Sequence, residues 1–259
     1  MVISVAIQKG GSGKTTTVMN LAAALRDIGK KVLLLDLDPQ NNLTQALGIE
    51  SASDENIYQL LKTAAGGTRP DITAAIVHKN GMDLIPGTLD LAHAELELVS
   101  VYGREQLLQE MLASVRDKYN YILIDCPPAI GMLTVNALVA SDYIIMPMQA
   151  EFLPLRGLQS FMRFYNRVKK LNPALAILGI LITRYDTRVG MSQKVIDEIL
   201  EEKTLGPRLF DTKIRINNAL AKAQEHGQDI FTFDPASNGA MNYMALAFEV
   251  QSRLETASV

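Results

Sequence analysis

The chain has 259 residues, 48% of them hydrophobic and 20% charged, with a formal net charge of −3. This composition fits a single α/β domain with a sizeable core and excludes a disordered or low-complexity chain. No apolar run is long enough to cross a bilayer, and the lone Cys126 excludes an internal disulfide framework or a thiolate metal cluster and fits a reducing cytoplasm.

The apolar run Val2–Gln8 reads as a strand and leads directly into Lys9-Gly10-Gly11-Ser12-Gly13-Lys14-Thr15-Thr16. Strand, glycine-rich turn and helix start are the setting of a phosphate-binding loop, in which backbone N–H groups converge on phosphate oxygens. Lys14 is placed to reach the β and γ phosphates, and the Thr15 hydroxyl to ligate Mg²⁺. The ordinary pattern asks for glycine at position 8. Here Gln8 stands there, and an additional lysine, Lys9, opens the loop. Lys14–Ile28 reads as the first helix, with Val18, Leu21, Ala22 and Leu25 on one face and Gly29 as its stop.

A second strand, Val32–Asp36, runs into Asp36-Leu37-Asp38-Pro39-Gln40-Asn41-Asn42-Leu43-Thr44. Asp36 and Asp38 are two apart and point the same way in extended chain, so a cation or a water network must hold them together. A helix cap or turn would use only one of the two. Residues 51–80 are weakly patterned, and Gly66-Gly67 and Pro70 mark a turn there. Met82–Ile85, Tyr121–Asp125, Tyr143–Met148 and Ile177–Thr183 are the remaining strand-like runs. Strands alternating with helical segments predict a mostly parallel, doubly wound sheet with helices on both faces and ligands at the strands' carboxyl ends. Tyr121–Asp125 followed by Pro127-Pro128 is an apolar strand closed by a carboxylate, the Walker B arrangement, so Asp125 is expected to hold Mg²⁺ or its water.

Charge is sorted along the chain. Residues 1–151 carry 11 Lys and Arg against 17 Asp and Glu, whereas residues 152–222 carry 13 against 6. Within the basic segment Leu155–Leu171 fits a helix whose Arg156, Arg163, Arg167 and Lys170 share a stripe opposite Leu158, Phe161, Tyr165 and Val168. Such a stripe is either the solvated side of an amphipathic helix or a grip on phosphate backbone.

Written as K-G-G-x-G-K-T-T, the loop at Lys9–Thr16 is the deviant Walker A sequence, and the chain resembles the ParA/MinD group of P-loop ATPases, its ParA/Soj branch above all. The D-x-D-P-Q-x-N match at 36–42 resembles that branch's switch I and implies that Asp38 positions the attacking water and lies near the metal, beside Pro39. Leu133–Leu138 resembles the switch II helix, and Pro147–Phe152 the strand and loop after it. Thr183-Arg184-Tyr185-Asp186, His226-Gly227 and Asp234-Pro235 match as well, which implies nucleotide contacts from Thr183 and Arg184. The late I-P-R-N-V-R segment appears as Ile214-Arg215-Ile216-Asn217-Asn218-Ala219, without its proline and last arginine.

The resemblance implies that ATP and Mg²⁺ are the cofactors and that Lys9 reaches the partner's ATP across a face-to-face homodimer. Such a lysine would act in trans on the transferred phosphoryl group, with Lys14 and Asp38 as the other catalytic residues. It implies non-specific DNA binding, most directly at Arg188, with Arg163, Arg167 and Arg215 as further candidates. A ParB-like or analogous cargo adaptor is implied as partner, and a cytoplasmic, nucleoid-associated location. The whole of 1–259 is expected to be one ATPase domain, with neither an N-terminal helix-turn-helix nor a C-terminal membrane helix. Two rival classes are weighed. A MinD-like membrane switch should end in a basic amphipathic helix, whereas Gln251–Val259 holds one basic residue and no aromatic. A metabolic ligase or assembly ATPase does not obviously need Lys9 or the basic segment, and cluster-carrying relatives need cysteines.

Overall fold

Built from these runs, one sheet forms the centre of the computed structural model, which describes residues 1–49, 55–150, 154–186 and 190–257. Its strands are β1 (Val2–Val5), β2 (Val32–Asp36), β3 (Val77–Lys79), β4 (Met82–Ile85), β5 (Tyr121–Asp125), β6 (Tyr143–Gln149), β7 (Ala176–Tyr185) and β8 (Leu209–Arg215). They lie in the order β3-β4-β2-β5-β1-β6-β7-β8, and every neighbouring pair is parallel except β3 with β4. The expected doubly wound class holds. The strand order reverses around β1, so the crevice at its carboxyl end is where such a sheet binds ligands.

Helices cover both faces. In chain order they are α1 (Lys14–Asp27), α2 (Asn42–Ala46), α3 (Ile57–Ala65), α4 (Leu91–Glu97), α5 (Leu107–Leu112) and α6 (Met132–Ala140). There follow α7 (Pro154–Val168), α8 (Gly190–Glu201), α9 (Asn218–Glu225), α10 (Ile230–Phe233) and α11 (Asn238–Ala257). Alternation along the strands divides the core in two. Leu33, Leu35, Ile122 and Ile124 pack with α3 to α7, while Leu34, Leu123, Ile3 and Val5 pack with α1, α9 and α11.

Four features depart from the sequence expectation. β1 stops at Val5, because the chain beyond it must leave the sheet to open the phosphate loop. Two strands without a clear apolar run join the edges: β3 is only partly buried, and β8 carries Asp211, Lys213 and Arg215. Edge strands face solvent on one side, so they do not need the continuous apolar run of a central strand. Within the weakly patterned 51–80 stretch, α3 buries Ile57, Tyr58, Leu60 and Leu61, and the Asn56 side chain caps it by accepting from Tyr58 N and Gln59 N. Helix α1 is buried over every residue from Thr17 to Leu25, not on one face alone, because α2, α10 and α11 pack on it as well as the sheet. α7 has the expected sidedness: Leu158, Phe161, Tyr165 and Val168 are buried, and Arg163, Arg167 and Lys170 are exposed. Arg188, Glu151 and Phe152 lie outside the described residues. Among the described residues no helix is long and apolar enough to cross a membrane.

Candidate active site

The loop from Gln8 to Gly13 turns on two glycines with positive φ, Gly11 at 71° and Gly13 at 90°. A Cβ at Gly11 would meet nothing within 4 Å, so the backbone conformation, not crowding, calls for glycine there. Gly13 precedes α1, whose first amides have no side-chain cap and face the crevice, a built anion site. Lys14 is 7% exposed, and its Nζ donates to the Lys9 carbonyl at 3.1 Å. Lys9 itself is exposed at the loop mouth.

Two cavities meet at this loop. The larger, about 630 Å³, is lined by Gly10 through Thr16 and by Asp38, Gln40, Gln45 and Gln224, among others. The second, about 310 Å³, is lined by Thr183, Arg184, Ile214, Arg215 and Asn217 and shares Gly11, Gly13, Thr16 and Gln224 with the first. The first gathers the loop's lysine and hydroxyls and the second adds Ile214 and Thr183 beside it, so a nucleotide's phosphates and its base have separate places to lie. Thr183 Oγ1 donates to the Ser12 carbonyl at 2.9 Å, Gln149 Nε2 donates to the Gly11 carbonyl, and Gln224 Nε2 donates to Thr16 Oγ1 at 3.1 Å. These bonds brace the loop from β6, β7 and α9.

Beneath the loop, β2 and β5 are neighbours in register, so Asp36 lies opposite Asp125. Both are fully buried. Burial pushes Asp36 up to about 6, and it pushes Asp125 well above the carboxylate range, with the Asp36 charge adding to the effect. Asp125 Oδ2 accepts from Thr15 Oγ1 at 2.6 Å, while its Oδ1 has no hydrogen-bond partner. Asp36 is tied down locally: its Oδ2 accepts from Thr44 N at 2.8 Å and Thr44 Oγ1 at 2.7 Å, and its Oδ1 from Asp38 N at 3.3 Å. Asp38 itself lines the larger cavity at 6% exposed and accepts from Gln40 N at 3.0 Å.

The residues expected at the site are therefore brought together, with distinctions. Asp125 does not line the cavity and reaches it through Thr15. Pro39 is half-buried beside Asp38 and lines neither cavity. Arg215, expected at DNA, lines the second cavity from the end of β8, apart from the α7 stripe. Gln224 lies in no motif read from the sequence, and Gln149 and Thr44 lie in matched segments that do not reveal their partners, because each reaches its partner through the fold. Cys126, fully buried behind β5, has its thiol pushed up to about 12 by burial and is inert.

Magnesium suits this donor set. The ion keeps several waters and takes one or two carboxylates plus substrate phosphates. The free Oδ1 of Asp125 and the Thr15 hydroxyl supply such a partial shell. Among the described residues no three His, Cys, Asp or Glu side chains form an all-protein cage.

The chain has relatives among known proteins along nearly its whole length. Residues 1–177 match the family model described as "AAA domain". The sporulation initiation inhibitor protein Soj of Bacillus subtilis is 44% identical over 251 residues, 96% of this chain and 97% of that protein. The chromosome partitioning protein ParA of Caulobacter vibrioides is 38% identical over 257 residues, covering 97% of this chain and 94% of that one. A solved structure of cobyrinic acid a,c-diamide synthase from Mycobacterium smegmatis, with a bound ATP analog and magnesium, superposes at a TM-score of 0.84. It is 35% identical and covers 99% of this chain and 96% of its own. A phosphate loop with a second lysine, an aspartate at the end of the neighbouring strand bonded to its Thr15, and relatives matched nearly end to end place the chain in the ParA/Soj/MinD-type family of P-loop ATPases.

Proposed function

We propose that this ATPase positions DNA or another large cargo in the manner of ParA and Soj. Two copies close face to face on ATP, the dimer binds DNA without regard to sequence, and slow hydrolysis releases it. A ParB-like or analogous adaptor on the cargo accelerates hydrolysis, and the protein works in the cytoplasm on the nucleoid. The observation that carries this reading is the outward stripe of α7. Arg163 and Arg167 stand exposed on a helix whose other face is buried, and Ser160 of that helix donates to Gln8 at the loop mouth at 2.9 Å. Phosphate-gripping cations thus lie within a few helical turns of the ATP loop.

Within the site, Lys14 and the α1 amides bind the phosphates, and Asp38 orients the attacking water. Thr15 and Asp125 would hold magnesium, which when bound would supply positive charge for the phosphates. Lys9 serves the partner's phosphates. Its separation from Lys14 is built in, because Lys14 bonds the Lys9 carbonyl and not its side chain. Lys9→Ala is therefore expected to bind nucleotide like the parent but to lose ATP-dependent dimerisation. Light scattering after size exclusion, with and without ATP, measures this. Parental dimerisation would leave Lys9 as a surface lysine.

The DNA reading is tested by anisotropy titration at several salt concentrations. With ATP, unrelated duplexes should bind about equally, and log K should fall with log salt by about 0.9 per phosphate neutralised. ADP-bound protein should bind poorly, because one subunit presents half of the basic surface. Arg188→Glu should weaken every duplex alike and reduce the salt slope by about 1 or more, and Arg163/Arg167 charge reversal should act in the same direction more weakly. ATPase activity that rises with a small carboxylate metabolite and ignores DNA would instead favour the amide-forming chemistry named for the mycobacterial structure.

A further inference from the structure

Two glycines leave no room for a side chain where one arm of the chain meets the switches, Gly87 against Asp36 of switch I and Gly131, before α6, against Glu95 of the arm. Gly87, just after β4, presses on Asp36: a Cβ there would lie 2.8 Å from the Asp36 carbonyl oxygen and 2.9 Å from its Cγ. Its N–H donates at 3.0 Å to Thr44 Oγ1, the hydroxyl that donates to Asp36. The loop carrying Asp38 is therefore stitched to the start of the arm at Gly87.

The arm's other attachments are to α6, the helix that follows Asp125. Helix α6 begins at Gly131 with no side-chain cap of its own. The missing acceptor comes from α4, where the Glu95 carboxylate accepts from Met132 N at 2.6 Å and Leu133 N at 3.1 Å. A negative group on the first amides of a helix satisfies orphan donors and opposes the helix dipole. A Cβ at Gly131 would collide with that same carboxylate. One turn further along, buried Asn136 of α6 accepts from Leu108 N at 3.1 Å and donates to the Arg104 carbonyl at 2.7 Å. The arm from residue 87 to 108 is thus bonded to switch I at its start and to switch II at its middle and end.

We propose that this arm is a strut that keeps the two switches in step, with Thr44 and Glu95 as positioning residues for ATP hydrolysis. Neither residue lines either cavity, so neither touches nucleotide. Thr44 sets the loop that holds Asp38, and Glu95 sets the helix that begins six residues after Asp125. A shift at either end is transmitted through hydrogen-bonded backbone to the other. Misplacing reacting groups by about 1 Å costs up to roughly 100-fold in rate without weakening binding. The proposal rests on the assignment of Asp38 and Lys14 given above.

The test uses the full-length protein with MgATP, measuring steady-state turnover and, separately, the affinity for a fluorescent ADP analogue. Thr44→Val keeps shape and removes the hydroxyl, Thr44→Ser restores the hydroxyl, and Glu95→Gln keeps size and removes the charge. All assays run well below the lowest melting temperature in the set. Thr44→Val and Glu95→Gln should each lower kcat by about tenfold or more while KM and ADP affinity stay within about twofold. Thr44→Ser should recover most of the loss. The double variant Thr44→Val/Glu95→Gln should be little worse than the poorer single, because a strut released at one end transmits nothing.

Unchanged kcat in both single variants would overturn the proposal. So would a loss of ADP affinity parallel to the loss of kcat, or single effects that multiply fully in the double variant. Lys14→Ala and Asp38→Ala run alongside as references. If these remain active, the site assignment has failed. If they are dead while the Thr44 and Glu95 variants are normal, the strut alone has failed.

Discussion

Lys14→Ala is expected to abolish nucleotide binding. In the free protein the Lys14 ammonium is nearly buried and held on the Lys9 carbonyl at 3.1 Å, pointing into the cleft lined by the loop. It is hydrogen-bonded to a neutral carbonyl and acts on the buried Asp125 carboxyl, and a phosphate oxygen is a stronger partner for an ammonium than that carbonyl. Hydrogen bonds to charged groups are worth about 1.5–3 kcal/mol each, and losing two of them weakens binding by at least about 100-fold. The fold should suffer little, because the protein loses one hydrogen bond within the loop and a charge beside Asp125, whose carboxyl burial already favours in the neutral form. Calorimetric titration with ATP and with ADP, beside a melting curve, checks both halves. Retained micromolar affinity in a folded Lys14→Ala protein would remove the phosphate-loop assignment.

Asp38→Ala should stop turnover by about 100-fold or more while leaving ATP binding nearly intact. The protein should then accumulate as an ATP-bound dimer, visible by light scattering. Asp38 has a local structural role too, since its Oδ1 accepts from Gln40 N at 3.0 Å and its carbonyl accepts from Asn41 N at 2.8 Å. Alanine loses the first of these bonds and keeps the second. Asp38→Asn separates the roles, because its amide oxygen still accepts from Gln40 N while the negative charge is gone. Equal inactivity of the Ala and Asn variants assigns the effect to charge at the water. Activity recovered in Asp38→Asn would make Asp38 a turn residue and move the water-positioning role elsewhere in switch I.

Much of the active site was legible in the chain because phosphate chemistry imposes local demands. A loop that aims consecutive amides at an anion needs positive φ at Gly11 and Gly13, and it needs its lysine and hydroxyl at the first positions of α1. Those constraints act over fewer than ten residues, so they leave a contiguous record. The carboxylates at the ends of β2 and β5 are written locally for the same reason: each closes a buried apolar strand. The stripe on α7 was equally readable, since helical periodicity alone opposes Arg163 and Arg167 to Phe161, Tyr165 and Val168.

What the tertiary structure decided is which distant pieces meet at those local features. The chain by itself determined a phosphate loop, two strand-end aspartates and a parallel α/β class. Only the sheet order, with β5 between β2 and β1, sets Asp36 opposite Asp125 and raises both in a shared dry pocket. β8 and α9 return Arg215 and Gln224 to the second cavity, and Gln224 braces Thr16 across 208 residues. Glu95 caps a helix 37 residues away, and Thr44 reaches Gly87 across 43. Neither Glu95 nor Gln224 sits in a motif, because a hydrogen bond between elements constrains geometry and leaves the intervening sequence free.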